Sequence, residues 1–351
     1  MEFRKLGRTG IDVSVICLGT MTYGQQNTEA EGHEQMDYAI SQGVNFFDTA
    51  ELYSIPPKPE TQGSTERVIG SWLKARGGRD KLVLATKVVG RSDMTWFRAD
   101  GSPSRLNRRQ MTEALESSLK RLGTDYVDLY QLHFPERIMP WGSNPTRVGH
   151  DSFTSAPDEV SISEQLDVLD GFVREGKVRH IGLSNESAWG TMRFLAESEI
   201  RNRPRVQSVQ NAYNLINRTY ETALAEITAR EQVGLLAYSP LAQGYLTGKY
   251  LDGKRPAGAR STLFNRGQRY EKPGSEAAIH KYVGLAQKAG LDPASMALAF
   301  VNAQPFVTAN IIGATSMAQL KLAIASIDVK LSAEIVAEID GIHQLHGNPA
   351  P

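Results

Sequence analysis

Eight short apolar runs, each followed by a helical pattern, constrain the fold of this chain more than any other feature. Runs of this length predict buried strands, and their alternation with helices predicts a parallel α/β fold. Eight such units in succession predict a closed (β/α)8 barrel, the TIM barrel. The runs lie near residues 15–19, 44–48, 82–87, 127–132, 178–183, 206–210, 233–237 and 309–312.

Helical patterns fill the intervals between these runs. Residues 109–123 show the helical period most clearly, with Met111, Leu115 and Leu119 on one face and Gly123 at the end. The other helical patterns lie near residues 32–42, 65–76, 162–174, 187–198, 218–230, 276–289 and 316–325.

The sequence predicts one further element at each end of the chain. In residues 2–14, the turn residues Arg8 to Gly10 separate two short strand-like segments. This pattern predicts an N-terminal β-hairpin that closes the bottom of the barrel. A pattern near residues 332–343 predicts an extra C-terminal helix. We therefore expect a single barrel domain over residues 1–351.

A doubly wound open sheet is the alternative architecture for alternating strands and helices. Such sheets usually carry a Gly-x-Gly-x-x-Gly turn after the first strand. This chain contains no Gly-x-Gly at any position. The succession of eight units also favours closure into a barrel.

Composition argues against several classes of function. Basic and acidic residues balance at 39 each, so no excess of positive charge is present to hold a nucleic-acid backbone. The N-terminal residues lack the apolar core of a signal peptide, and no run approaches the roughly 18 apolar residues of a membrane span. The lone cysteine, Cys17, excludes a disulfide framework. We expect a cytoplasmic protein without a nucleic-acid or membrane partner.

Four polar side chains lie at or just beyond the ends of consecutive apolar runs: Asp48, Tyr53, Lys87 and His133. In a parallel barrel these strand ends meet on one face, where active sites form. An ammonium beside a phenol favours the phenolate and lowers the pKa of the phenol. We therefore predict that Tyr53 donates a proton to a carbonyl, that Asp48 holds Lys87, and that His133 orients the substrate oxygen.

Later strands end in amides, hydroxyls and a tyrosine, namely Ser184, Asn185, Gln210, Asn211, Tyr238 and Ser239. Amide side chains can recognise a carboxamide, and a tyrosine ring can stack on a flat heterocycle. The last run leads through Gly313 and Thr315 into a helix, and backbone N–H groups at a helix start can bind phosphate. Lys249 and Arg260, in the long loop over residues 239–274, carry charge suited to a pyrophosphate or 2′-phosphate. Such loop cations are as often simply solvated.

With these motifs in place, the chain resembles aldo-keto reductases over nearly its whole length. The likeness is carried by residues 43–53 (GVNFFDTAELY), 118–133 (SLKRLGTDYVDLYQLH), 177–185 (KVRHIGLSN) and 238–250 (YSPLAQGYLTGKY). Within that superfamily it is most similar to bacterial Tas-type proteins and to potassium-channel β subunits.

The resemblance implies a carbonyl reductase that uses NADPH and reduces aldehydes or ketones to alcohols. It places the catalytic tetrad on Asp48, Tyr53, Lys87 and His133, with Tyr53 as the general acid. It also implies a set of cofactor-binding residues, with Asp48 again among them: Gly19, Thr20, Met21, Ser184, Asn185, Gln210, Tyr238, Ser239, Pro240, Leu241, Gly244, Lys249, Arg260, Gly313, Thr315 and Gln319.

The chain departs from the family pattern at two places. Glu186 stands where many relatives have an aromatic residue. Leu322 and Ala323 stand where relatives often have Glu and Asn beside the adenine amine, which implies looser recognition of adenine. His133 follows the enzymatic pattern, whereas channel β subunits carry Asn at that position, and this favours catalysis.

Two other functions remain open from the residues alone. One is a regulatory or redox-sensing subunit that binds NADP(H) and turns over slowly. The other is a barrel hydrolase built on Asp48, Glu51 and His133. No set of metal ligands is evident, since His343 and His346 lack a third partner. Candidate aromatic walls for a small carbonyl substrate are Tyr23, Trp96, Phe97, Phe134 and Trp141.

Overall fold

Eight parallel strands form a closed barrel in a computed structural model that describes residues 1–140 and 153–351. The barrel runs from β3 to β10, with β10 paired to β3, and this confirms the predicted (β/α)8 fold. The strands are β1 Phe3–Lys5, β2 Asp12–Ser14, β3 Ile16–Gly19, β4 Phe46–Asp48, β5 Val83–Val88, β6 Val127–Leu132, β7 Val178–Ser184, β8 Val206–Ala212, β9 Gly234–Tyr238 and β10 Val307–Ile312.

Helices surround the barrel and follow its strands. They are α1 Glu29–Ser41, α2 Ser64–Arg76, α3 Arg108–Leu122, α4 Ile162–Arg174, α5 Ala188–Ile200, α6 Leu224–Glu231, α7 Arg260–Phe264, α8 Ser275–Lys288, α9 Pro293–Asn302, α10 Met317–Ala325 and α11 Ala333–His346. Polar N-caps define several of the starts, because a side-chain oxygen there accepts a backbone N–H of the first turn. These caps are Thr28, Asn107, Ser161, Ser187, Asp292, Ser316 and Ser332.

Three helical regions differ from the prediction. Helix α7 lies within residues 239–274, which were predicted to be a loop. Helix α9 has no counterpart among the predicted helices, because its sequence, PASMALAFVN, is apolar on nearly every face and lacks an amphipathic period. The predicted helix at 218–230 is instead a 3-10 turn, Thr219–Thr222, followed by α6. The break falls at Ala223, whose φ of −138° and ψ of −45° lie outside the helical range.

Neighbouring residues of β3, β4 and β5 enter two separate cores. Phe46 packs inside the barrel, whereas its neighbour Phe47 packs between the barrel and the helices. The hairpin of β1 and β2 adds Leu6 and Val13 to the interior cluster, where Cys17 is also buried. The hairpin therefore plugs the barrel, as predicted, and leaves the other end to carry polar residues.

The main apolar core lies between the barrel and its helices. Within the two described ranges, no helix combines the length and the apolar character that a bilayer-crossing segment requires. Opposite the hairpin, the polar strand ends adjoin a third, smaller apolar cluster that includes Leu52, Tyr53, Phe97 and Phe134.

Candidate active site

An ion pair between Lys87 and Asp48 lies at the centre of this end of the barrel. Asp48 ends β4 and Lys87 lies near the end of β5, and both side chains are buried. Lys87 Nζ donates to Asp48 Oδ2 at 2.6 Å, to the backbone oxygen of Thr49 at 2.8 Å and to the Tyr53 hydroxyl at 3.3 Å. The structure therefore brings together the carboxylate, the ammonium and the phenol that the strand ends predicted.

The other carboxylate oxygen of Asp48 accepts hydrogen bonds from two amides. Gln210 Nε2 donates to Asp48 Oδ1 at 2.8 Å, and Gln131 Nε2 donates to the same atom at 3.2 Å. Gln131 was missed by the sequence reading. A pattern was present, because Gln131 lies in β6 two residues before His133, which directly follows the strand, and the two-residue period of a strand predicts that both point to the same side. With all these partners Asp48 is held in one orientation.

Burial and charge act in opposite directions on the pKa of Lys87. Burial by itself lowers it, but the Asp48 carboxylate and the hydrogen bonds to Asp48 and Tyr53 outweigh burial, so the pKa of Lys87 is raised. Lys87 is therefore a stable cation at neutral pH, in line with the predicted role of Asp48.

The pKa of Tyr53 differs from the sequence expectation. Burial raises the pKa of the Tyr53 phenol above its usual value, and the positive charge of Lys87 only partly offsets that effect. The expected lowering by Lys87 is present, but burial of the hydroxyl exceeds it. Tyr53 consequently holds its proton at neutral pH, as a proton donor must.

His133 lies beside Tyr53, edge to face. The two ring centroids are 5.5 Å apart at an interplanar angle of 84°. Burial, together with the nearby charge of Lys87, lowers the pKa of His133 well below its usual value. Among the described residues, no hydrogen-bond partner reaches the buried Nδ1 atom of His133. A neutral imidazole is thus placed next to the phenol.

Amides and a tyrosine from the later strands form a second hydrogen-bonded group. Asn185 Nδ2 donates to the backbone oxygen of His133 at 2.8 Å, and the Tyr238 hydroxyl donates to Asn185 Oδ1 at 2.7 Å. Ser184 Oγ donates to the backbone oxygen of Gln210 at 2.9 Å. These residues therefore adjoin the Asp48 network through Gln210 and adjoin His133 through Asn185.

Arg269 extends this group and was also missed by the sequence reading. Arg269 Nη1 donates to the Tyr238 hydroxyl at 3.1 Å. Its Nε atom and the Nζ atom of Lys272 are buried without a hydrogen-bond partner among the described residues. Both residues come from the aperiodic loop after β9, where no periodic pattern marks an inward-facing side chain.

The end of β3 contributes three of the predicted cofactor residues. Thr20 Oγ1 donates to the backbone oxygen of Asp48 at 3.0 Å, and the backbone oxygen of Met21 accepts from Ile55 at 3.0 Å. Gly19 packs closely on β10, since a Cβ there would lie 2.9 Å from the backbone oxygen of Ile312. Gly19 is therefore required by packing, whatever else it contacts.

The loop after β9 makes a series of sharp turns. Ser239, Gln243 and Gly244 have φ values of 55°, 56° and 97°, in the left-handed region. A Cβ on Gly244 would lie 3.0 Å from Lys249 Nζ, so the ammonium lies against this glycine. Pro240 is buried and Leu241 is partly buried in the same turn. Left-handed turns of this kind can direct backbone N–H groups toward an anion.

Arg260 begins α7 and is partly buried. Burial and the neighbouring charge of Arg266 lower the pKa of Arg260, and within the described ranges no carboxylate pairs with either arginine. Glu271, an acidic residue of this loop, pairs instead with Arg255 at 2.8 Å. An uncompensated positive region therefore lies in this loop.

The turn before α10 is ordered by its own side chains. Ser316 caps α10 by accepting from the backbone of Gln319, and Gln319 Oε1 accepts from the backbone N–H of Thr315 at 2.9 Å. Gly313 faces open space, since a Cβ there would meet nothing within 4 Å. The predicted phosphate turn thus has the expected helix start and an open glycine.

Three of the predicted aromatic walls have clear positions. Phe97 and Phe134 pack in one cluster with Tyr53, and Trp96 is 37% exposed. Tyr23 was wrongly predicted as a wall, because it is fully buried in the main core with its hydroxyl bonded to Gln35. Trp141 lies outside the described residues.

The hypothesis of a barrel hydrolase requires a free Glu51 carboxylate near Asp48 and His133. That carboxylate is instead occupied by Arg98, at 3.0 Å from each of two guanidinium nitrogens, and by the backbone N–H of Val89. Glu51 is therefore not available as a general acid or base.

A possible set of metal ligands among the described residues lies away from these side chains. Asp252, Glu276 and His280 are all exposed, with ligand atoms within 4.8 Å of one another. Lys254 already donates to Asp252 at 3.3 Å.

Comparison with known proteins decides the family. The model of the aldo/keto reductase family matches residues 15–344, which include the whole barrel and every side chain of the network around Lys87. The chain belongs to the aldo/keto reductase family. It is thereby a member of a family of oxidoreductases, as the resemblance implied.

This aldo/keto reductase is similar over its full length to proteins from bacteria and plants. It is 48% identical to Protein tas of Escherichia coli (strain K12), with 100% of both chains covered. It is 35% identical to the uncharacterized oxidoreductase YrpG of Bacillus subtilis (strain 168), covering 100% of this chain and 98% of that one. It is 28% identical to a probable voltage-gated potassium channel subunit beta of Oryza sativa subsp. japonica, covering 98% and 97%.

Proposed function

We propose that this protein reduces aldehydes or ketones to alcohols with NADPH, and that Tyr53 is the general acid. The observation that supports this most directly is the contact of 3.3 Å between Lys87 Nζ and the Tyr53 hydroxyl, with Lys87 paired to Asp48. A phenol that is protonated at neutral pH and touches a cation can give up its proton to an alkoxide as that alkoxide forms.

The residues around the phenol would divide the work. Tyr53 donates its proton to the carbonyl oxygen, and the Lys87 ammonium stabilises the phenolate that remains. Asp48 keeps Lys87 charged and oriented through their 2.6 Å contact. His133, which is neutral, offers a hydrogen bond to the same carbonyl oxygen without competing as an acid.

The side chains at this end of the barrel fit a nicotinamide dinucleotide. Two buried atoms without partners among the described residues, Arg269 Nε and Lys272 Nζ, lie in the loop that also carries Lys249 and Arg260. Cations left without carboxylates suit phosphate groups. When bound, reduced nicotinamide supplies the hydride that is added to the carbonyl carbon.

The residues proposed to hold that cofactor lie at strand ends and in the loops and helices that follow them. Ser184, Asn185 and Gln210 would bind the carboxamide, and Tyr238 would contact the nicotinamide ring. Gly19, Thr20 and Met21 would contact the nicotinamide portion of the cofactor. The pyrophosphate and adenosine portions would be held by the remaining residues, which are Ser239, Pro240, Leu241, Gly244, Lys249, Arg260, Gly313, Thr315 and Gln319.

The test compares Tyr53→Phe with the parent protein in an assay of NADPH oxidation with a panel of aldehydes and ketones. We expect kcat to fall by about 100-fold or more, because phenylalanine lacks the phenolic hydroxyl that would donate the proton. NADPH affinity, measured by fluorescence titration, should be unchanged. Equal turnover by both proteins would refute the role of Tyr53.

A sensing function for NADP(H) would give a different result in the same assay. Tight binding of NADPH, with less than one turnover for every carbonyl compound tried, would favour sensing over catalysis. Repeated turnover would exclude sensing as the main role. The likeness to a protein named as a potassium channel subunit beta motivates this comparison.

A further inference from the structure

A buried ion pair joins the Tyr53 loop to the next loop along the barrel. Glu51 and Arg98 have side chains that are 1% and 0% exposed. Their two pairs of nitrogen and oxygen atoms lie 3.0 Å apart, so the contact is bidentate. A bidentate pair restrains direction as well as distance.

On one side of this ion pair, hydrogen bonds hold Glu51 against the end of β5, next to Lys87. Its backbone N–H donates to the backbone oxygen of Lys87 at 3.2 Å, and its carboxylate accepts from the N–H of Val89 at 2.6 Å. Gln62 Nε2 donates to the backbone oxygen of Glu51 at 3.1 Å. Since Glu51 precedes Tyr53 by two residues, these bonds fix the segment that carries the phenol.

On the other side of the ion pair, hydrogen bonds hold Arg98 within the loop over residues 88–106. It donates to the backbone oxygen of Phe97 at 3.1 Å and to Gln110 Oε1 at 3.3 Å. Gln110 in turn donates to the backbone oxygen of Pro103 at 3.0 Å and accepts from the N–H of Arg105 at 2.7 Å. Arg98 is therefore linked, directly or through Gln110, to several separate parts of this loop.

Both loops contribute side chains to the apolar cluster that contains Tyr53. Phe97, which is adjacent to Arg98, packs in one apolar cluster with Tyr53, Leu52 and Phe134. Any shift of Arg98 relative to Glu51 would change the distance between the Phe97 ring and the Tyr53 ring.

We propose that Phe97 borders the approach of the carbonyl compound to the Tyr53 hydroxyl. Arg98 is then a positioning residue that sets the substrate size selectivity, because its ion pair with Glu51 holds Phe97 in place relative to Tyr53. The proposal rests on the proposed carbonyl reduction. It concerns which substrates are accepted, whereas Tyr53 carries out the proton transfer.

The test uses Arg98→Met and Arg98→Lys, with Arg230→Met as the matched control. Arg230 also forms an ion pair with a glutamate, Glu226. Both residues are exposed and lie on α6, more than a hundred residues along the chain from Arg98. The measured quantity is the ratio of kcat/KM for butanal to that for a bulky aromatic aldehyde such as 4-phenylbenzaldehyde. We expect Arg98→Met to change this ratio by about 10-fold, Arg98→Lys to change it less, and Arg230→Met to leave it unchanged.

A double variant separates positioning from stability. Glu51→Met with Arg98→Met leaves no buried charge unpaired, so it should regain much of the thermal stability lost in Arg98→Met alone. We expect its selectivity ratio to remain changed, because no bidentate contact restrains Phe97. If the double variant regains both stability and the parent ratio, the pair is only structural and the proposal is wrong.

Hydrogen–deuterium exchange tests the same link without any substrate. Arg98→Met should increase exchange in the peptides over residues 50–55 and 88–98, and Arg230→Met should not. Unchanged exchange at residues 50–55 would overturn the proposal even if the enzyme is active. If the parent protein reduced no carbonyl compound, the proposed function would fail, whereas the exchange result would still decide whether Arg98 restrains the Tyr53 segment.

Discussion

The Lys87 ammonium lies 2.6 Å from Asp48 Oδ2, and both side chains are buried at the end of the barrel opposite the hairpin. Buried ions remain charged only when partners compensate the loss of water. Here the pairing raises the pKa of Lys87 despite its burial. The ion pair thereby supplies a permanent positive charge next to the Tyr53 phenol.

Removing that charge tests the pair directly. We expect Lys87→Met to lower kcat by about 100-fold or more, because the Tyr53 phenolate would form without a neighbouring cation. The variant should also be less stable by about 3–5 kcal/mol, since Asp48 would be left buried without its counterion. Steady-state NADPH oxidation and urea unfolding measure the two effects. Lys74→Met, at an exposed lysine, is the control and should show neither.

The pKa of His133 predicts a pH dependence of stability. Burial and the charge of Lys87 lower this pKa well below its usual value, so the folded protein keeps His133 neutral where the unfolded chain binds a proton. The free energy of unfolding should therefore fall as the pH drops below about 6.5. Comparing urea unfolding at about pH 7.5 and about pH 5.5 measures this loss.

The contribution of His133 can be separated from that of other histidines. His180 and His343 also have lowered pKa values, mainly through burial, and both remain in a His133→Gln variant. We expect the loss of stability between the two pH values to be smaller in His133→Gln than in the parent. An identical loss in both proteins would contradict the assignment of a depressed pKa to His133.

Arg260 should determine the preference for NADPH over NADH. Its guanidinium has no carboxylate partner within the described ranges, and it adjoins Arg266 in a positive region. We expect Arg260→Met to weaken NADPH binding by about 10- to 100-fold, because a charge-assisted contact to the 2′-phosphate is lost. NADH binding, measured by the same fluorescence titration, should be nearly unaffected. Equal weakening for both cofactors would place Arg260 away from the 2′-phosphate.

Two glycines, both predicted to bind cofactor, should respond differently to alanine. A Cβ at Gly19 would lie 2.8 Å from the Ile311 side chain and 2.9 Å from the backbone oxygen of Ile312. Gly19→Ala should therefore cost about 1–3 kcal/mol of stability through overpacking. Gly313→Ala adds its methyl group to open space and should change the unfolding free energy by less than about 0.5 kcal/mol. Urea denaturation of both variants tests the contrast.

Strand positions were predictable because strands buried on both faces appear in the sequence as short, continuous apolar runs. Phe46 and Phe47 face opposite cores in the structure, yet both belong to one apolar run in the sequence. Helix α9 was not predictable in this way, since it is buried on nearly every face and its composition carries no period. Tyr23 resembled a pocket residue in sequence, but the helices around it bury it completely.

Contacts between distant segments could not be read from the chain. Glu51 and Arg98 are 47 residues apart, and Gln210 reaches Asp48 across 162 residues. Neither pairing leaves a local pattern. The net pKa of Tyr53 likewise depends on how much burial outweighs Lys87, and burial is a property of the packed protein.

The sequence by itself determined the barrel and the kinds of side chain at its strand ends, because short apolar runs and their order along the chain are local features of the sequence. The strand ends also predicted that Lys87 would meet Asp48 and Tyr53. Only the tertiary structure decided the other partners of these side chains. It placed Gln131 and Gln210 on Asp48, and it paired Glu51 with Arg98, so that Glu51 is not available as an acid or base. Hydrogen bonds and ion pairs of about 3 Å between these side chains form only when remote strands and loops are packed together. The same packing removes the water whose loss shifts each pKa.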